Sequence, residues 1–218
     1  MTAFPNSPRL VRGGIVLIDV DSGAVKRVIA LQYNPDTLTR TLQVQAFSGD
    51  SSDRSEAMRI KGPPVETLKL DAEIDATDAL ELPDQNADTL QFGIAPQIAV
   101  LEALVNPSVA ELQALAELSA QGTLEIVPPE APLVLFVWGA ARVVPVRVTD
   151  FSVTEEAFDP NLNPIRAKVS LGMRVLSAND LGFDNKGGSL FMVHHQQKER
   201  FAQMANGAIA ALGLAGVP

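Results

Sequence analysis

No cysteine occurs among the 218 residues of the chain. That absence excludes a disulfide framework, a thiolate-held zinc or iron–sulfur site and a thiol nucleophile. Aromatic side chains are scarce, with one Trp and one Tyr, so stacking platforms for sugars or nucleobases are sparse. Histidine is confined to His194 and His195. Neighbouring residues on a helix point about 100° apart, which makes a poor metal chelate. Positive charge is outweighed, 17 Lys and Arg against 26 Asp and Glu, and a net charge of −9 does not supply the cationic face that nucleic-acid binding requires. There is no nucleophile motif, phosphate-cradling glycine loop, His-Glu-x-x-His or dinucleotide fingerprint. Gly13-Gly14 lies in an apolar stretch with no third Gly and no helix after it. Asp150, Glu155, Glu156 and Asp159 flank a turn without a His or an aromatic pocket to make them an acid–base pair. Long apolar runs are missing as well. Ala205 to Val217 falls short of the roughly 20 residues a membrane span needs, and the N-terminus has no basic segment leading into an apolar one. These absences predict a soluble, cytoplasmic, non-enzymatic protein with no cofactor, metal, nucleic-acid partner or membrane span.

What is present suits a folded, mainly β protein. A hydrophobic content of 46% with 20% charged residues is ordinary for a globular chain, and the length fits one domain with appendages. Residues 1–8, with two Pro, read as a flexible arm, 9–178 as the body, and 179–218 as a linker followed by a helical extension. Within the body, Arg9 to Val20, Val25 to Gln32 and Thr37 to Phe47 read as strands, the first two joined by a turn at Asp21-Ser22-Gly23. Residues 48–64 form a polar, small-residue loop of the kind that tends to carry function. Asp71, Glu73 and Asp75 alternate with Ala72 and Ile74, which places all three on one strand face. The segment 71–91 holds seven acidic residues and no basic one. It could bind a metal, but an EF-hand register would require Gly and Glu where Ala76 and Leu82 stand. A solvated or inter-subunit acidic face is the simpler reading. Ala95 to Val105 and Pro107 to Ala120 read as helices, the second capped by Asn106 with Pro107 at its first position. Ser189 to Leu212 reads as an amphipathic helix. The residues by themselves indicate six to eight antiparallel strands with one or two helices.

The most distinctive stretch is the third quarter. Pro132-Leu133-Val134-Leu135-Phe136-Val137-Trp138-Gly139 reads as a strand ending at a turn, and Arg142 to Glu155 as its return. Then come Phe158-Asp159-Pro160-Asn161-Leu162-Asn163-Pro164-Ile165-Arg166-Ala167, opening another strand. With Tyr33-Asn34-Pro35 and the stretch Gly62-Pro63-Pro64 to Asp75, this pattern over residues 25–178 resembles the tube-initiator, or inner baseplate ring, proteins of contractile injection systems. The chain departs from that pattern at Asn163, where the family has Gly. Asn tolerates positive φ next best. No lysin-motif module follows the core, so peptidoglycan binding is not expected.

The resemblance implies a phage tail-tube-like pair of near-orthogonally packed antiparallel sheets, a sandwich or barrel, with a flanking helix. It implies assembly into six-subunit rings between the spike hub and the inner tube. The implied structural or contact residues are Tyr33, Asn34, Pro35, Trp138, Gly139, Phe158, Asn163, Pro164 and Arg166. Trp138 is expected to pack structurally, and Arg166 to hold a turn carboxylate, Asp159, or to meet a neighbouring subunit. Two alternatives remain open from sequence: an inner-tube ring subunit, and a small binding module, including one that holds a metal in 71–91.

Overall fold

The computed structural model describes residues 10–46, 59–120, 131–205, 207 and 209–212. The 1–8 arm and most of the 48–64 loop lie outside them. The described residues include seven strands: β1 (Gly14–Ile18), β2 (Val25–Ala30), β3 (Leu38–Gln43), β4 (Val65–Asp75), β5 (Leu133–Val137), β6 (Val143–Glu155) and β7 (Arg166–Val175). They form one sheet in the order β2-β1-β5-β6-β7-β4-β3, antiparallel at each pairing.

This single sheet is neither closed into a barrel nor paired into a sandwich, which corrects the expectation of two packed sheets. The reason lies in β6. Its first part, Val143 to Val146, pairs with β5, and the stretch from Val146 to Glu155 pairs with β7. A bulge between Val148 and Asp150 adds one unpaired residue and bends the strand. Where a sandwich would break into two sheets, β6 runs through the corner and keeps both halves hydrogen-bonded.

The bend brings the end of β2 to the end of β4. The Gln32 side chain donates from Nε2 to the Asp75 carbonyl at 2.7 Å and accepts at Oε1 from the Asp75 N–H at 2.9 Å. One side-chain amide thus stands where a rung of backbone ladder would be. Beside it is an apolar cleft of about 360 Å³ lined by Val28, Ile29, Leu31, Ala72, Ile74 and Val100, among others.

Burial follows the sequence patterns. β4 alternates, with Leu68, Leu70, Ala72 and Ile74 inside and Lys69, Asp71 and Glu73 outside. β1 and β5 are continuous apolar runs because both of their faces are covered. Ile15, Leu17 and Phe136 join the main core with Ile94, Ile98 and Leu101, whereas Ile18, Leu133 and Leu135 meet Leu181 and Leu190 on the other side.

The helices fill two connections. Between β4 and β5 lie α1 (Thr77–Leu80), α2 (Ala87–Phe92), α3 (Ala95–Glu102) and α4 (Val109–Ala120). The first two, with a 3₁₀ turn at Pro83–Gln85, occupy the acidic run. Asp78, Asp84 and Asp88 each sit in a first turn, where a carboxylate is favoured by the helix dipole. After β7 come α5 (Ala178–Leu181) and α6 (Lys186–Met204). Ser177 and Asp180 form a reciprocal capping box on α5, and the Asn185 side chain caps α6.

Two buried polar residues fix α6 to the sheet. Glu66, only 6% exposed, accepts from Arg40 Nε of β3 at 2.8 Å and from Lys198 Nζ of α6 at 2.7 Å. Burial pushes its carboxyl up, but the Lys198 and Arg40 bonds and charges outweigh this and hold it below the ordinary range. His194, 8% exposed, is pushed down chiefly by burial and further by the Lys198 and Arg142 charges, against the opposing effects of the Glu66 charge and the Ala141 backbone. Its Nδ1 has no partner among the described residues. His194 is therefore held neutral in a site that already contains Lys198.

Candidate assembly interface

The motif residues form a connected set at one corner of the bent sheet. Asn34 accepts at Oδ1 from Gly13 N at 2.8 Å and donates from Nδ2 to the Val11 carbonyl at 2.9 Å, tying the turn after β2 to the strand entering β1. Trp138 is half-buried and stacks on Phe136, with centroids 5.7 Å apart and planes at 18°. A Cβ at Gly13 would stand 2.5 Å from the Trp138 ring, so the indole lies where only glycine fits. Gly139 follows at φ +76° with open space around it, completing the β5–β6 turn. Tyr33 is exposed and its hydroxyl accepts from Gln32 Nε2 at 3.3 Å. Pro35 is half-buried and lines a groove of about 670 Å³ shared with Asp71, Glu73, Ser152, Lys168 and Ser170.

Arg166 reaches Asp75 rather than Asp159, with Nε 2.7 Å from Oδ2. Thr77 also donates to Asp75, from its hydroxyl and its N–H. The Thr77 hydroxyl most of all holds this carboxyl low; burial pushes it the other way, and the Thr77 N–H and Arg166 add to the lowering. The set therefore runs from Trp138 through Gly13 and Asn34 to Gln32, Asp75 and Arg166.

The β6–β7 loop completes the corner. Asp159 accepts from Asn161 N at 2.7 Å, Asn163 N at 2.8 Å and Asn163 Nδ2 at 2.8 Å. The Asn163 amide, with these N–H groups, holds the Asp159 carboxyl low. Asn163 is not the left-handed residue of the turn. That conformation falls on Leu162, φ +66°, and on Ala157, φ +47°. Asn163 instead uses its side chain, donating also to the Gln91 carbonyl at 3.1 Å. Pro164 is buried and its carbonyl accepts from Ile94 N at 2.8 Å. Gly93, φ +61°, lies so close that a Cβ there would be 2.1 Å from that oxygen. Leu162 is left 79% exposed and Phe158 50%, beside the likewise exposed Leu90 and Phe92 of α2.

Two residues of this architecture escape a motif search. Gln32 has no signature beyond its place at a strand end. Glu66 does have one: it is the single charge at the parity of Leu68, Leu70, Ala72 and Ile74, and a carboxylate on the buried face of an alternating strand demands a partner.

Among the described residues no group of three or more His, Asp or Glu is placed to hold a metal ion, and no helix is long and apolar enough to cross a membrane. The sequence of residues 18–181 matches the family model of the contractile injection system tube protein. The chain belongs to that family. On that membership the chain is a structural tube-type protein of a contractile injection system. No curated protein matches it. Among solved structures, the chain is similar to one described as the tail of an empty GTA particle, computed with helical refinement in C6 symmetry. The identity is 13% over 75% of this chain and 90% of that one, with a TM-score of 0.29. A likeness that slight carries no weight on architecture or assembly.

Proposed function

We propose that this tube-family protein is a tube initiator, a six-subunit ring that joins the spike hub of the baseplate to the inner tube of a particle assembled in the cytoplasm. Residues 9–178 would form the ring body and 179–218 an extension carrying α6. The observation that carries the reading is the contrast between the sheet's open face and its edges. The outward face of β4, β7 and β6 presents Lys69, Asp71, Glu73, Arg147, Asp150, Ser152, Lys168 and Ser170, a mixed-charge, water-compatible surface suited to lining a lumen. Edge strands β2 and β3 leave backbone groups unpaired and expose Val25, Val28 and Leu42. Such edges call for a covering partner, and in a ring the next copy supplies it through head-to-tail contact. Tyr33, Asn34, Pro35, Trp138, Gly139, Phe158, Asn163, Pro164 and Arg166 form the corner that shapes this contact.

Native mass spectrometry and electron microscopy of the full chain, alone and mixed with the hub and tube proteins of its own particle, test the reading. Six-subunit rings that bind both partners are expected. A monomer that stays monodisperse in every mixture overturns it, and rings that stack only on themselves remove the initiator role.

A further inference from the structure

Helix α4 is out of place as a surface element. Eight of its twelve residues are Val, Leu or Ala, distributed around the whole helix, a composition that normally belongs to a covered helix. Yet none of them is buried, and Val109, Leu112 and Leu118 are strongly exposed. Its charge is as one-sided as its surface is apolar. Between Lys69 and Arg142 the chain has no Lys, Arg or His and twelve acidic residues, including Glu111 and Glu117 on α4. Glu111 is engaged with the Ser108 N–H at 2.6 Å; Glu117 makes no ion pair among the described residues.

A surface of the opposite character lies on α6. That helix carries Lys186, Lys198 and Arg200 against a single acid, Glu199. One side docks through Phe191, His194 and Lys198. On the other, Val193, Gln197, Arg200 and Met204 follow the i, i+4, i+7, i+11 spacing of a single stripe, with Phe201 beside it. Val193, Phe201 and Met204 are exposed, and Arg200 has no acidic partner among the described residues.

The two surfaces sit at the two ends of the strand order. α4 borders a groove that includes Leu17 of β1 and Lys26 and Arg27 of β2, whereas the second half of α6 is held to β4 and β3 through Lys198, Glu66 and Arg40. A head-to-tail contact sets one patch of a subunit against a different patch of the next, so the two patches must be complementary. We propose that α4 of one copy docks on the Val193–Arg200–Met204 stripe of α6 in a second copy, with Glu117 beside Arg200. This rests on the ring reading above and names the seam.

The absence of native cysteine gives a direct test. The full-length double variant Ala116→Cys/Met204→Cys, treated with a short bifunctional maleimide, should give a ladder of covalent multimers, and neither single variant should. Glu117→Arg or Arg200→Glu alone should weaken assembly about tenfold, and the two together should restore it. A covalent dimer from Ala116→Cys alone would mean that α4 faces α4, which overturns the proposal. Rings seen by microscopy without a ladder, with the thiol introduced by Ala116→Cys still open to a monofunctional maleimide, overturn it while leaving the ring reading intact; they would leave α4 to a different protein. Neither rings nor ladder would sink both.

Discussion

Replacing Glu66 by Gln removes one negative charge from beneath two cations at the junction of β3, β4 and α6. Stranding a fully buried charge costs about 3–5 kcal/mol, but the Arg40 and Lys198 side chains are 32% and 31% exposed and turn to water once released. Gln also preserves volume and one acceptor, so the expected loss is about 2–3 kcal/mol. In a chain of this length each kcal/mol moves the melting temperature by about 2–4 °C, which predicts a fall of about 4–12 °C. The damage should be local, because Lys198 is the link to α6. Hydrogen exchange across Phe191 to Met204 should accelerate while the β6–β7 amides keep their protection. The pH dependence has a definite sign. The Glu66 carboxyl is held below its ordinary value of 4.5, so its contribution is complete above that pH and fades as pH falls through the lower folded value. Melting curves of wild type and Glu66→Gln should therefore converge in acid. An unchanged melting temperature at neutral pH, or protection lost evenly across the sheet, would refute the docking role.

Three further outcomes follow from the same structure. His194 is neutral in the fold and its proton affinity is depressed from 6.5, so wild-type stability should begin to fall as pH drops below that value; His194→Gln should remove this first step in a pH series of thermal melts, and an identical step in the variant would assign it elsewhere. Gly13→Ala forces a Cβ into the Trp138 ring and should cost about 1–3 kcal/mol, with a shift in the emission of the chain's single Trp; unchanged fluorescence and melting would mean that the ring yields freely. A left-handed Leu costs about 1–2 kcal/mol, and Gly returns about 0.4–1 of that through its freer unfolded chain. Leu162→Gly should therefore raise the melting temperature of the isolated chain slightly, and a clear fall would show that the Leu162 side chain is held by contacts.

The strands were legible because their chemistry is local. The alternation of Leu68 to Asp75 reports one wet and one dry face, and the runs at Ile15 to Ile18 and Leu133 to Val137 report strands with no wet face at all. The number of sheets was not legible, since it depends on β6 exchanging one partner for another at a bulge that Thr149 does nothing to announce. The helices of 77–92 were hidden by a sequence that reads as a solvated acidic stretch. At the corner, residue types were easier to pick out than partners. Arg166 has Asp159 seven residues away, yet the fold gives it Asp75, 91 positions distant, because β4 and β7 are in register there. Asn163 looks like the left-handed residue of its turn by composition, but its amide is needed for Asp159 and Gln91, and the strained conformation passes to Leu162.

The Gln32 amide has a consequence for the chain before it meets any partner. A backbone edge offers a repeating row of donors and acceptors, and a strand that pairs with one residue of the row is led on to the next. That is how a newly made chain with open edges recruits the wrong neighbour and grows without limit. Gln32 supplies a peptide-like group with no row behind it. It occupies Asp75 and leads nowhere, so the end of β4 that it meets is not offered as the start of a growing ladder. The same modesty makes it reversible. Two hydrogen bonds from one side chain can be released without unravelling a strand, because the apolar packing of Ile29 and Leu31 with Ala72 and Ile74 still holds the corner.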